Sequence, residues 1–399
     1  MATPSPGPRL FDVRLPDLPL RNGGVVTRHH ARGSWWGPAT DLDALSANCH
    51  LLDESELHAE LRVVTRGPAL TAVRQPIALD DAIPTVLVVH ALTGDARAAG
   101  PLGFWSPLIG PGQVFDTDRM RVICINNLGS NYGSSSPLDP GWPAHAALTT
   151  LDQAQAIWLA LDALGVATLH LAAGGSLGGM IVQALAALRP TQVNRIMAIG
   201  AAAVSSPWVI GLNHVQRQAI ALDPGFPRDV SRGLEIARQI ATLTYRAEPG
   251  LALTQPRSPA NAHPAVSDDA RWHYPIESYL EHQGAKLRRR FDGRSYLAML
   301  DAMDSHDFTT VANDANASAT TRFASALVVD IDTDVLFTAA AVHELAVELA
   351  NRGSQVTRAT LRSVHGHDAF LIEWGQMQRL CAQALAQSSG QRGTRRERY

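Results

Sequence analysis

The chain has only three cysteines in 399 residues, Cys49, Cys124 and Cys381. An odd, widely spaced set argues against a disulfide framework or a zinc site and fits a reducing compartment, the cytoplasm. A surplus of one charge is also lacking, since 34 Lys and Arg against 37 Asp and Glu leave a formal net charge of -3. The overall field therefore draws the chain to neither nucleic acid nor an anionic membrane. Long apolar runs are missing too: His170 and Ser205-Ser206-Pro207 interrupt the longest ones before they reach the roughly 18 residues that cross a bilayer. The proline-rich first ten residues do not follow the basic-then-apolar plan of a secretion signal. What remains is a globular composition, 46% hydrophobic and 18% charged, long enough for one large core and an inserted subdomain.

Residues 1–55, broken by prolines and polar clusters, read as an irregular segment. Strand-like runs follow at 60–65, 85–90 (Thr-Val-Leu-Val-Val-His) and 121–126 (Arg-Val-Ile-Cys-Ile-Asn), then a Gly, Ser, Asn and Pro-rich loop at 127–143. A helix over 150–164, a strand over 167–173, a helix over 179–188 and a strand over 193–203 continue the alternation. Alternating strands and helices imply a doubly wound, mostly parallel α/β sheet with right-handed crossovers. From 205 to about 307 the pattern turns to amphipathic helices, such as 211–222 and 232–245, separated by a polar stretch at 256–275. Arg288-Arg289-Arg290 reads there as a solvated helix face. The strand-helix rhythm returns at 326–331, 339–351, 357–361 and 368–386. The expected division is an irregular segment (1–55), a core (56–204 and 308–387), a helical cap inserted in it (205–307) and a disordered tail (388–399).

The stretch Gly174-Gly175-Ser176-Leu177-Gly178-Gly179 joins an apolar strand to a helix. Gly-x-Ser-x-Gly in that setting is the pattern of a nucleophile elbow, whose strained turn needs small neighbours, and it makes Ser176 the candidate nucleophile. A serine hydroxyl needs a base, and the base an orienting carboxylate. Asp334, three residues past the strand ending at Ile331, and His367, in the loop after the last strand, stand in the expected order and place. Asp332 is the competing acid. Asp330-x-Asp332-x-Asp334 has Val335 where a calcium loop needs glycine, and His365-x-His367 lacks neighbouring ligands, so no metal is expected. The backbone amides of Leu92, in the turn after an earlier strand, and Leu177, after the nucleophile, are the candidate oxyanion hole.

Several ordered blocks together carry a family resemblance: His90-Ala91-Leu92-Thr93-Gly94-Asp95, Gly175-Ser176-Leu177-Gly178-Gly179-Met180, Arg217-Gln218-Ala219-Ile220 and His365-Gly366-His367-Asp368-Ala369-Phe370. With further matches between about 85 and 380, the chain resembles the homoserine O-acetyltransferases, acyltransferases of methionine biosynthesis with an α/β-hydrolase fold. The resemblance implies Ser176, Asp334 and His367 as the triad. It also implies a substrate arginine in Gly233-Leu234-Glu235-Ile236-Ala237-Arg238, together with Tyr245 and Asp368. On that reading Arg238 presents a planar fork to an amino-acid carboxylate and Asp368 a counter-charge to its ammonium. Read from the residues alone, Arg238 also fits a helix surface and Asp368 a helix N-cap. The implied substrates are L-homoserine and acetyl-CoA, with acetyl-CoA a co-substrate and no cofactor, and the implied assembly is a homodimer through the cap. Departures from the family pattern, including Ser130-Asn131 and Ser136 in the 127–137 loop, leave serine as acceptor, succinyl-CoA as donor and plain ester hydrolysis as alternatives.

Overall fold

The computed structural model describes residues 8–52, 76–257, 274–310 and 325–386. The expected strand at 60–65, all but the ends of the polar stretch at 256–275 and the tail at 388–399 lie outside the described residues. Among the described residues nine strands form one sheet: β1 (Arg9–Arg14), β2 (His30–Trp36), β3 (His50–Leu51), β4 (Thr85–Val89), β5 (Arg121–Ile125), β6 (Leu171–Gly175), β7 (Arg195–Ile199), β8 (Ser325–Ile331) and β9 (Gln355–Leu361). Their spatial order is β9-β8-β7-β6-β4-β5-β2-β1-β3. The six strands from β4 onward run parallel, and β2, β1 and β3 add antiparallel at one side.

Period-two alternation explains why the central strands are apolar throughout. Leu87, Val89, Ile123 and Ile125 pack on one face with Trp158 and Ile181, while Val86, Val88, Val122 and Cys124 pack on the other with Trp105, Phe115 and Met377. A parallel sheet covered on both sides needs such runs. Helices supply the covers: α1 (Leu42–Asn48), α2 (Thr150–Ala163) and α3 (Leu177–Leu188), then, beyond the cap, α9 (Ala339–Asn351) and α10 (Trp374–Ala386). Helix α2 begins in a capping box, with Thr149 Oγ1 accepting from the Asp152 amide at 3.1 Å and the Asp152 carboxylate accepting from the Thr149 amide at 2.9 Å.

Between β7 and β8 the described residues include α4 (Pro207–Ala221), α5 (Ser231–Tyr245), α6 (Glu248–Thr254), α7 (Pro275–Arg288) and α8 (Gly293–Asp304). The chain leaves the sheet and returns side by side, since Val204 bridges Asp307 and the Phe308 amide donates to the Ala203 carbonyl at 2.8 Å. Arg217 ties α4 to α8 through Asp301 (2.9 Å) and Asp304 (2.5 Å).

The N-terminal segment departs from its irregular reading. Residues 9–51 supply three sheet strands and α1, with Trp35 opposite Ile123 and Phe11 opposite Gly33. Its partner strand β5 lies about ninety residues later in the chain, so local pattern carries little of the signal. A buried ion pair seals this join. Arg121 donates to both Asp41 oxygens (2.5 and 3.1 Å) and to the carbonyls of Asp80 and Ile83, and both side chains are at most 5% exposed. Replacing Arg121 by methionine strands the Asp41 charge, and denaturant unfolding is expected to register a loss of about 3–5 kcal/mol; a change below about 1 kcal/mol would show that the pair is not structural.

Candidate active site

The site follows from the sheet topology. After β4 the chain crosses to β5 on one side, then returns to β6 on the other side of β4, so the loops after β4 and β6 open a crevice at the switch point. Ser176 follows β6 there. It has φ 57° and ψ -131°, a left-handed conformation that only one other non-glycine residue, Arg28, approaches among the described residues. Small neighbours make that turn feasible: a Cβ on Gly174 would lie 2.5 Å from the Gly178 backbone, and one on Gly178 2.3 Å from the Val89 carbonyl. Ser176 is held by its amide, which donates to Ile199 O at 2.9 Å.

His367 lies after β9 in a 3₁₀ turn, Gly366–Leu371, and the helix expected over 368–386 begins only at Trp374. Its Nδ1–H donates to Asp334 Oδ2 at 2.6 Å, and the other Asp334 oxygen accepts from the Leu336 (2.8 Å) and Phe337 (3.0 Å) amides. The buried Nε2 has no hydrogen-bond partner among the described residues, so the neutral ring keeps its lone pair at the nitrogen a base would use. Burial alone would lower the pKa of this imidazole, but the charge and hydrogen bond of Asp334, with Asp368 beyond, hold it above 6.5. Asp332 instead accepts from the Ser363 amide at 2.9 Å, and Asp330 lies 3.7 Å from Arg358, so the three acids diverge. No group of three or more His, Cys, Asp or Glu side chains suited to a metal occurs among the described residues.

Ser176 and His367 line one cavity of about 420 Å³ with Leu92, Arg238, Tyr245 and Asp368. Asp334 stands behind His367, and Leu177 is buried at the first position of α3. The Leu92 and Leu177 amides have no acceptor among the described residues, as an oxyanion hole requires. On α5, Arg238 stacks its guanidinium 5.3 Å from the Tyr245 ring centre, and that ring lies 5.8 Å from the His367 ring. Burial pushes the Tyr245 phenol up, so it stays neutral. Burial also pushes the Asp368 carboxyl up, while Arg238, His367 and Arg246 pull it part of the way back.

Four further residues escape a reading of the sequence alone. His90, fully buried at the end of β4, faces the Ala91 carbonyl through Nδ1 (2.9 Å) and accepts the Asn127 amide at Nε2 (3.0 Å). Burial keeps its ring neutral, and the bonds set the course of the Leu92 turn. Arg246 reaches Asp368 (3.8 Å) and His365 (3.4 Å), joining the end of α5 to the histidine loop. Lys286 and Arg290 line the cavity as well, so the 288–290 triplet is not wholly a solvated face. Arg290 turns inward because its guanidinium donates to the Thr93 carbonyl (2.6 Å) and the Tyr132 hydroxyl (2.5 Å). The basic triplet was a visible signal; the inward turn of one member was not.

A family model described as the alpha/beta hydrolase fold matches residues 84–357. Among curated proteins, the homoserine O-acetyltransferase of Moorella thermoacetica is 36% identical over 316 residues, 73% of this chain and 83% of that protein. A homoserine O-acetyltransferase of Thermus thermophilus is 36% identical over 326 residues, 74% of this chain and 80% of its own. Two solved structures share the fold at 18% identity and a TM-score of 0.74: esterase E22, over 95% of this chain and all of that one, and homoserine O-acetyltransferase from Bacillus anthracis, over 96% and 98%.

An Asp334→Asn variant tests the base. Hydrolysis of p-nitrophenyl acetate should fall by roughly 10⁴-fold if Asp334 holds the tautomer. The acid limb of kcat/KM reports protonation of the ring, whose neutral form is the active one, and should move to lower pH as the raising charge of Asp334 is lost. A limb that stays put would reject His367 as the titrating base.

Proposed function

Because the chain belongs to the homoserine O-acetyltransferase family of α/β-hydrolase-fold proteins, we propose that it moves an acetyl group from acetyl-CoA to the hydroxyl of L-homoserine, a step of methionine biosynthesis. The observation that carries this reading is the sharing of one cavity by Ser176 and His367 with Arg238, Tyr245 and Asp368. A nucleophile and base alone would serve any ester. An arginine and a carboxylate beside them suit the two charged ends of an amino acid.

Ser176 Oγ attacks the thioester carbonyl while His367 Nε2 takes its proton and Asp334 steadies the imidazolium. The Leu92 and Leu177 amides hold the oxyanion. Collapse breaks the C–S bond, the CoA sulfur leaves with the proton from His367, and the acetyl group stays on Ser176. Homoserine, its carboxylate on Arg238 and its ammonium on Asp368, then gives its hydroxyl proton to His367 and attacks the acetyl ester. Departure of Ser176, reprotonated by His367, completes the transfer. Transfer outruns hydrolysis when the cap positions the alcohol and limits water, an effective-molarity gain.

The reading extends to a homodimer through the cap, where Trp208, Val215, Leu243 and Leu253 leave apolar surface exposed. It also extends to action in the cytoplasm, in keeping with free cysteines at 49, 124 and 381. No helix among the described residues is long and apolar enough to cross a membrane.

Thiol release, with acetyl- or succinyl-CoA paired with homoserine or serine, tests the proposal. Release is expected for acetyl-CoA with homoserine, reduced by at least about 10³-fold in Ser176→Ala. An Asp368→Asn variant should raise KM for homoserine more than it lowers kcat. Release with serine or succinyl-CoA alone would reassign the substrate, and ester cleavage indifferent to any amino acid would make the protein an esterase.

A further inference from the structure

The cavity holds four cationic side chains, Arg97, Arg238, Lys286 and Arg290, against two acidic ones, Asp95 and Asp368. Two of the cations have acids to answer them. Arg97 grips Asp95 through both carboxylate oxygens, and Arg238 lies in the field of Asp368. The other two do not. Arg290 donates to the Thr93 carbonyl, the Thr93 hydroxyl (3.5 Å) and the Tyr132 hydroxyl, all neutral groups. Lys286, four residues earlier in the last turn of α7, is exposed at the cavity wall and has no acidic partner among the described residues. It is also the one lysine in a chain that otherwise uses arginine for its fixed positive charge.

We propose that Lys286, exposed at the cavity wall, and the half-buried Arg290 form an anion seat in this cavity that takes the phosphate groups of the CoA donor. The inference rests on the acetyl-CoA reading above, and it deepens that reading by assigning the part of the donor remote from the reaction. The thioester carbon has to reach Ser176, which is 3% exposed. What lies at an exposed rim is then the far end of the donor. A cavity of about 420 Å³ does not hold a nucleotide-bearing thioester and an amino acid together, so the nucleotide end stays at the mouth. Leu102, Phe104 and Leu371 also line the cavity and give it apolar surface suited to an uncharged arm. A compact ammonium on a flexible stem suits a phosphate that also contacts solvent.

The test compares acetyl-CoA with S-acetyl-N-acetylcysteamine, which carries the same thioester and no phosphate, each with homoserine as acceptor. In Lys286→Ala the ratio of their kcat/KM values should fall about tenfold, the scale of one charge-assisted contact, and Lys286→Arg should restore most of it. Added salt should lower the same ratio in the parent protein. Because Lys286 is the only lysine, its modification by trinitrobenzenesulfonate can be mapped without ambiguity; CoA should slow it and N-acetylcysteamine should not. An unchanged ratio in Lys286→Ala overturns the proposal, as does protection by pyrophosphate without protection by CoA. A parent preference for succinyl-CoA that Lys286→Ala erases would assign the seat to an acyl carboxylate and overturn it too. A parent protein that releases no thiol with homoserine would reject the function proposed above, while protection of Lys286 by CoA would still decide the anion seat.

Discussion

The structure turns on one backbone conformation, the left-handed turn at Ser176. A side chain there is strained, and the strain persists because the surroundings leave the chain no alternative: β6 enters bonded to β4 and β7, α3 leaves at once, and glycines at 174 and 178 let strand, turn and helix meet at backbone contact. The consequence is positional. A serine at the end of β6 stands above the switch point of the sheet, beside the turn after β4 and within reach of loops that follow β8 and β9.

Each neighbour of that serine is in turn held by something less conspicuous. The Asp334 carboxylate is spent on one imidazole nitrogen and two backbone amides, which together fix its direction. The Leu92 turn is tethered by His90, whose ring works as a neutral buried spacer. Arg246 ties the cap to the histidine loop, and Gly366, with φ 70°, permits the contact because a Cβ there would lie 2.6 Å from the Ala247 amide nitrogen. The cap is therefore part of the site as well as its cover: α5 supplies Arg238 and Tyr245, and its end presses on the turn that carries His367.

Legibility in the sequence followed the range of the interaction. The buried parallel strands, the elbow and the helical insertion were readable because periodicity and glycine spacing are local properties of the chain. Ser176, Asp334 and His367 could be singled out by order and loop position. Choosing between Asp332 and Asp334 on contact needed coordinates, since two residues of spacing separate a carboxylate on His367 from one on the Ser363 amide. The first fifty residues misled for the opposite reason. Their strands are short and proline-flanked, and they take their place from β5 through pairing and the Arg121–Asp41 contact rather than from their own propensity.

The order of residues alone determined the α/β architecture, the family and the candidate nucleophile, since strand and helix patterns and a glycine-flanked turn are written over a few consecutive positions. Only the folded chain decided where charge is left unanswered: that Arg97 is neutralised by Asp95, that Arg290 turns inward to neutral oxygens, and that Lys286 faces the same cavity as Ser176. Electrostatic balance is a sum over groups brought together from distant parts of the chain, and no local pattern carries that sum.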